Sequence, residues 1–242
     1  MVTSYPLQTG TTISELCCGK AGVPICPPGM YPGIWMFRNT VLSMFVSPIA
    51  IAGVVRTDGA IRAAHRLLEE SPERYYMPNQ FANPANWLSH YESTAPEILR
   101  QTGGKITAFV AGLGTSGTIM GISRRLKEYN PAIQIIAAEP VEGHAIQGLK
   151  NMKEAIVPAI YEPERLDRIM PVDDRSAYAM ANRLALEEGI FSGMSSGAAV
   201  HVALQVAAEY SPDDVVVTLL PDRGDRYLST NLFRSICAEC PP

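Results

Sequence analysis

The sequence predicts an α/β fold, an open, mostly parallel sheet with helices on both faces. Two short apolar runs rich in β-branched residues, Ile106 to Ala111 and Ile133 to Ala138, read as strands. Between them Gly117 to Tyr129 has helical spacing and is stopped by Asn130-Pro131, which makes one strand-helix-strand unit. Two further helix patterns, Ser176 to Glu188 and Ser196 to Tyr210, precede a third strand, Val215 to Leu220. Strands alternating with helices of this length imply a parallel sheet. Upstream, Asp58 to Glu70 carries Ile61, Ala64, Leu67 and Leu68 at helical spacing, and Ser93 to Gln101 opens like a capped helix with Pro96 in its first turn. No internal repeat or low-complexity tract is visible.

Composition sets the class. The 242 residues are 47% apolar and 18% charged with a net charge of -4, which suits a soluble globular chain able to build a core without disulfides or metal. Mild acidity with scattered Lys and Arg offers no footprint for nucleic acid. The uncharged run Thr40 to Val55 is sixteen residues and contains Pro48, so a membrane span is not expected there. Cys17, Cys18, Cys26, Cys237 and Cys240 are an odd number with no disulfide spacing, and no secretory signal precedes them, so a reducing cytoplasm is expected. Cys237-x-x-Cys240 is half a zinc site without its other half. His65, His90, His144 and His201 show no metal spacing, and no metal is expected. Residues 1 to 55 hold only three charged side chains, Glu15, Lys20 and Arg38, against 41 in the remainder, and show no sustained period.

The sharpest motif is Gly112-Leu113-Gly114-Thr115-Ser116-Gly117-Thr118, between a strand and a helix. Glycines admit an anion to the backbone, the helix start points free N–H groups at it, and Thr115, Ser116 and Thr118 add hydroxyl donors. An ordinary strand-to-helix turn is the plainer alternative. Gly112, Gly114 and Gly117 also spell the dinucleotide fingerprint, with Glu139 placed 22 residues after the last glycine, so an NAD-dependent dehydrogenase is a rival. The hydroxyls suit a terminal phosphate monoester better. Gly193-Met194-Ser195-Ser196-Gly197 spells the hydrolase nucleophile elbow, but the last histidine, His201, is six residues past Ser195 on the same helix, so no triad order fits. A serine there caps the helix, the commoner role, or offers its hydroxyl to a bound ring. The polar loop Asp222 to Thr230 follows the last strand, where ligands of open α/β sheets bind.

Taken together, five ordered blocks resemble the fold type II pyridoxal-phosphate enzymes, the tryptophan synthase β-like superfamily, and within it the cysteine synthases (O-acetylserine sulfhydrylases), B type especially. They are Asn79 to Asn86, Ser93 to Ile98, Gly114 to Thr118, Glu188 to Ala198 and Asp222 to Thr230. The resemblance implies pyridoxal 5'-phosphate as cofactor, with Gly114, Thr115, Ser116, Gly117 and Thr118 on its phosphate, Ser195 on the pyridine nitrogen and Gln80 on the substrate carboxylate. A neutral serine at that nitrogen leaves it unprotonated, a moderate electron sink suited to β-replacement. The family reaction joins an O-acetylserine-like amino acid to sulfide or another thiol donor. Asp222 and Arg223 put charge at the site mouth where A-type members have small polar residues, and Gly148-Leu149-Lys150-Asn151-Met152 departs from the usual glycine-rich stretch, so a bulkier donor is conceivable. A cytoplasmic homodimer is implied by the family alone.

The front of the chain departs from the family. Members form a Schiff base with a lysine in a Ser-x-Lys-Asp-Arg segment, followed by a Thr-Ser-Gly-Asn-Thr-Gly loop, and neither is present. Of Lys20, Lys105, Lys127, Lys150 and Lys153 none lies in such a segment, and Gln8 to Ile13 only faintly echoes the loop. That lysine also serves as general base, so full turnover by this chain alone is not expected. We expect residues 1–78 to be an atypical remnant of the smaller domain, with 1–55 unlike the family through a shifted frame or truncated gene start, and 79–242 to be the large cofactor-binding domain. A non-catalytic pyridoxal-phosphate-binding chain is the alternative, and a curtailed first domain would leave core strands short of neighbours.

Overall fold

The computed structural model describes residues 57–233, so the expectations for residues 1–55 and for Cys237 and Cys240 lie outside the described residues. The chain divides into two units, Met1–Met77 and Pro78–Pro242. In the first, helix α1 (Thr57–Glu70) half-buries Ile61, Ala64, Leu67 and Leu68 and exposes Arg62, Arg66 and Glu69, as the periodicity predicts.

The second unit begins with α2 (Ala85–Ser89), which runs through a π-helical turn at His90–Thr94 into α3 (Ala95–Gln101). The sequence predicts a helix start at Ser93; instead Ser93 lies inside the rod and its hydroxyl donates to the Ser89 carbonyl rather than capping anything. Next come β1 (Ala108–Gly112), α4 (Gly117–Tyr129), β2 (Gln134–Pro140), β3 (Arg168–Val172), α5 (Asp174–Glu187), α6 (Met194–Ala207) and β4 (Val216–Thr218). Asp173 sets the start of α5, its carboxylate accepting from the Ser176 N–H at 2.8 Å.

Among the described residues the four strands pair in parallel, in the order β3-β2-β1-β4. Side-chain alternation along the inner strands separates two cores. Ala108, Val110, Ile136 and Ala138 pack with Ala177, Ala181, Met194, Ala198 and Val202 of α5 and α6. Phe109, Ala111, Ile135 and Ala137 face the other way, onto Ile119, Met120, Ile122 and Leu126 of α4 and Ala95 and Ile98 of α3. Burial on both faces is why β1 and β2 read as continuous apolar runs. Strand β3 escapes the sequence reading because Pro171 interrupts it and Arg168 and Ile169 are partly exposed. Both features belong to a sheet edge, which is where β3 lies among the described strands.

Two close approaches hold the layers. A Cβ on Gly197 would run into the Ala177 carbonyl and lie 2.8 Å from the Ala181 nitrogen, so α6 meets α5 at backbone distance. A Cβ on Gly121 would meet the Trp87 carbonyl, bringing α4 equally close to α2. On that second contact the ring of His90 links Thr94 Oγ1 (3.0 Å from Nδ1) to Thr118 Oγ1 (3.2 Å from Nε2), and burial holds its pKa below the usual histidine value.

Gly197→Ala is expected to cost about 1–3 kcal/mol, because backbone atoms cannot yield to a methyl group; urea unfolding should show a lower midpoint at unchanged slope. For His90 the unfolded chain takes up a proton more readily than the folded one. Its stabilising effect is therefore complete above about pH 6.5 and lost as pH falls through that value toward the lower folded pKa. Urea titrations between pH 7.5 and 5 should show a steeper loss in the wild type than in His90→Gln.

Candidate active site

The carboxyl end of β1 opens into the turn that the glycine spacing singles out. Leu113 N–H donates to the Ala138 carbonyl of β2 at 3.1 Å, and the Leu113 carbonyl accepts from Lys150 N–H at 2.7 Å, so the turn hangs between β2 and the 148–152 segment. At Gly114 the chain passes so near Gly148 that a Cβ would strike the Gly148 carbonyl oxygen. Ser116 then adopts φ 67°, the left-handed region that non-glycine residues seldom enter, at the N-cap of α4. Its side chain makes no capping bond, and its buried Oγ has no hydrogen-bond partner. An unpartnered buried hydroxyl on a left-handed turn, beside the positive end of a 13-residue helix, fits an anionic group. No charged side chain lies between Gly112 and Thr118, so the fit rests on neutral donors.

Thr115 and Thr118 are supported from behind by the α2 rod. Thr118 meets His90, and Thr115 Oγ1 accepts from Asn86 Nδ2 at 3.1 Å. The same amide nitrogen donates to the Gln80 carbonyl at 2.7 Å, tying the exposed Gln80 to the glycine turn. The Gln80 loop is shaped by Asn79, at φ 48°, whose carbonyl accepts from Ala82 and Asn83 N–H groups.

The start of α6 meets the same place. Gly193 is its N-cap, so Ser195 lies within the first turn and is not the cap that its position alone favours. Ser195 Oγ lies 3.9 Å from the position a Cβ on Gly148 would take. Gly148, at φ 88°, thus has its carbonyl oxygen against Gly114 and the Ser195 hydroxyl near the position of its missing Cβ. Two hydroxyls near this helix start, on Ser192 and Ser196, are buried without partners.

Asp222 lies against Gly193, whose N–H donates to the Asp222 carbonyl at 3.2 Å. One carboxylate oxygen, Oδ2, accepts from the Tyr227 hydroxyl at 2.6 Å, while Oδ1 is buried without a partner. Burial first, then this carboxylate, push the Tyr227 pKa well above its ordinary value. Arg223 bridges Ser192 through the backbone but sends its side chain outward, 82% exposed and 3.2 Å from Asp225. Glu139, the acidic residue of the dinucleotide rival, accepts from Met152 N–H at 2.8 Å and so braces the 148–152 segment. Of the described lysines, Lys105 and Lys153 are exposed, Lys127 pairs with Asp167, and Lys150 is buried with its ammonium 5.1 Å from the Phe81 ring centre. Among the described residues no cluster of His, Cys, Asp and Glu could hold a metal, and no helix is long and apolar enough to cross a membrane.

Sequence reasoning therefore names Gly114–Thr118, Ser195, Gln80, Asp222 and Arg223, and the structure brings all but the outward Arg223 side chain to bonded or abutting positions. It misses Asn86, Gly148, Tyr227 and Ser192 as connecting groups. Asn86 lies inside a quoted block, yet only its bonds to residues 6 and 29 positions away reveal what it does.

A family described as pyridoxal-phosphate dependent enzyme matches residues 49–222. The cysteine synthase of Aquifex aeolicus (strain VF5) is 48% identical over 94% of this chain and 74% of its own length. For the cysteine synthase B of Pseudomonas aeruginosa the values are 38%, 94% and 79%. Alignments of that share reach into residues 1–55. Among solved structures, an O-ureido-L-serine synthase superposes with TM-score 0.67 and 37% identity over 75% of this chain and 59% of its own. An O-acetyl serine sulfhydrylase isoform 3 from Entamoeba histolytica gives 0.65 and 36% over 74% and 55%. With a glycine-and-hydroxyl turn at the carboxyl edge of a parallel sheet, the chain belongs to the pyridoxal-phosphate-dependent enzymes, as a fold type II member of the cysteine synthase kind.

Proposed function

We propose that this chain binds pyridoxal 5'-phosphate in the glycine turn and serves β-replacement on an O-acetylserine-like amino acid, acetate leaving Cβ and sulfur taking its place. The observation that carries the reading is the meeting of Gly114 and Ser195 around Gly148, which brings an anion-suited turn and a neutral helix-start hydroxyl to one spot. Gly114, Thr115, Ser116, Gly117 and Thr118 hold the phosphate through backbone N–H groups and hydroxyls. Ser195 meets the pyridine nitrogen with an uncharged hydroxyl, and the cofactor when bound supplies an electron sink for negative charge developing at the substrate Cα. Gln80, exposed and tied by its own carbonyl to Asn86, presents its amide to the substrate carboxylate. Asp222, docked on Gly193, and Arg223, pointing to solvent, lie at the mouth, where a sulfur donor larger than sulfide would meet charge. A homodimer in the cytoplasm completes the reading, on the family resemblance.

The absence of a Ser-x-Lys-Asp-Arg segment favours a second reading, a chain that binds the cofactor without completing turnover. Titration of the purified chain with pyridoxal phosphate, then borohydride reduction and mass spectrometry, separates the two. Saturable binding is expected, with Thr118→Val weakening it on the order of 10- to 100-fold, the range for one hydrogen bond to a charged group. Pyridoxal, which lacks the phosphate, should bind Thr118→Val and wild type alike. A specific reduced lysine together with cysteine formation from O-acetylserine and sulfide supports the enzyme; binding without either supports the second reading. No saturable binding by the wild type sinks both.

A further inference from the structure

We propose that Asn86 is a positioning residue whose side-chain amide fixes the direction in which Thr115 donates its hydroxyl hydrogen, and couples that direction to the Gln80 loop. The proposal rests on the cofactor reading above and deepens it.

The bonding leaves one arrangement. The Gln80 carbonyl can only accept, so the partner 2.7 Å away must be the nitrogen end of the Asn86 amide. The second hydrogen on that nitrogen is directed at Thr115 Oγ1, 3.1 Å away, which must therefore act as an acceptor. Thr115 Oγ1 accepts again from the Gly117 N–H at 3.4 Å. A hydroxyl has two lone pairs and one hydrogen, so both acceptor sites are engaged and only the hydrogen remains. Among the described residues no group takes that hydrogen. The amide itself has little freedom, since its Oδ1 lies where a Cβ on Gly117 would fall.

Thr115 is thus set as a donor before any ligand arrives, next to the unpartnered Ser116 hydroxyl. A phosphate, which only accepts when fully ionised, finds donors already turned toward it, and the reorientation of hydroxyls is not left to the moment of binding. The Gln80 carbonyl shares the same amide, so displacement of the loop that would meet substrate alters the bond that orients Thr115.

Asn86→Asp keeps the shape but replaces the donor by an acceptor, which draws the Thr115 hydrogen inward. Dissociation constants for pyridoxal phosphate and for pyridoxal are measured for wild type, Asn86→Asp, Asn86→Ala, Thr115→Val and both double variants, with urea unfolding to establish that each is folded. Expected is a loss on the order of tenfold for pyridoxal phosphate in each Asn86 variant, little change for pyridoxal, and no further loss when Asn86 is changed in the Thr115→Val background. Asn86→Ala withdraws the donor without adding charge, so the same non-additivity there separates hydroxyl orientation from simple repulsion of the phosphate. Additive losses in the Thr115→Val background, or equal losses for pyridoxal, overturn the proposal while leaving the cofactor site standing. A wild type that binds pyridoxal phosphate no better than pyridoxal overturns the cofactor reading and this proposal together.

Discussion

Strand β1 governs the arrangement. Its side chains from Ala108 to Ala111 are buried, it pairs in parallel with β2 along its whole length and with β4 over Ala108 to Val110, and the chain leaves it at the carboxyl end. There the backbone must turn within a few residues into α4. It does so through the close approach of Gly114 to Gly148 and the left-handed Ser116. That turn is strained for a serine, which persists only where the surroundings over-determine it. Leu113 is bonded to β2 and to Lys150, Thr115 to Asn86, and Thr118 to His90, so three separate parts of the second unit hold one short turn in place.

The charges of the second unit are engaged around the turn rather than in it. Glu139 accepts from Met152 N–H, Asp222 from Tyr227, and Lys127 pairs with Asp167. Arg124 lies 4.1 Å above the Trp87 ring centre and pairs with Glu162, which also pairs with Arg165. What the anion-suited turn itself offers is a set of neutral dipoles: backbone N–H groups at a helix start and the hydroxyls of Thr115, Ser116 and Thr118. Such donors need no countercharge of their own, and fixed in place they hold an anion without the reorganisation that water requires. The buried, partnerless hydroxyls belong to the two helix starts and the segment before the second, Ser116 at α4 and Ser192 and Ser196 at α6, and the partnerless Oδ1 of Asp222 lies against Gly193. Buried polar atoms without partners are uncommon in folded proteins, whereas the two cores are built of apolar side chains.

Much of the fold is legible in the order of residues, because burial writes itself into pattern. Val110 and Phe109 face opposite cores, yet both are apolar, so the strand reads as an unbroken run. Gly117 to Tyr129 is recovered to the residue because its glycine start and its Asn130-Pro131 stop are both local signals. Failure comes where local signals mislead. Pro171 hides β3, whose edge position makes a proline tolerable, and Ser93 imitates a cap inside a rod that tertiary packing carries through.

The sequence by itself determined that a strand ends in a turn rich in glycines and hydroxyls, that serines open a later helix and that a polar loop follows the last strand. These are matters of residue type and short spacing. Only the tertiary structure decided that Gly148 is where the first two meet, that Asn86 joins Gln80 to Thr115, and that Asp222 is held by Tyr227 against Gly193. The physical reason is that a side chain's hydrogen-bond direction is set by neighbours distant in the chain. Asn86 and Thr115 are 29 residues apart, and no local pattern says which hydrogen points which way.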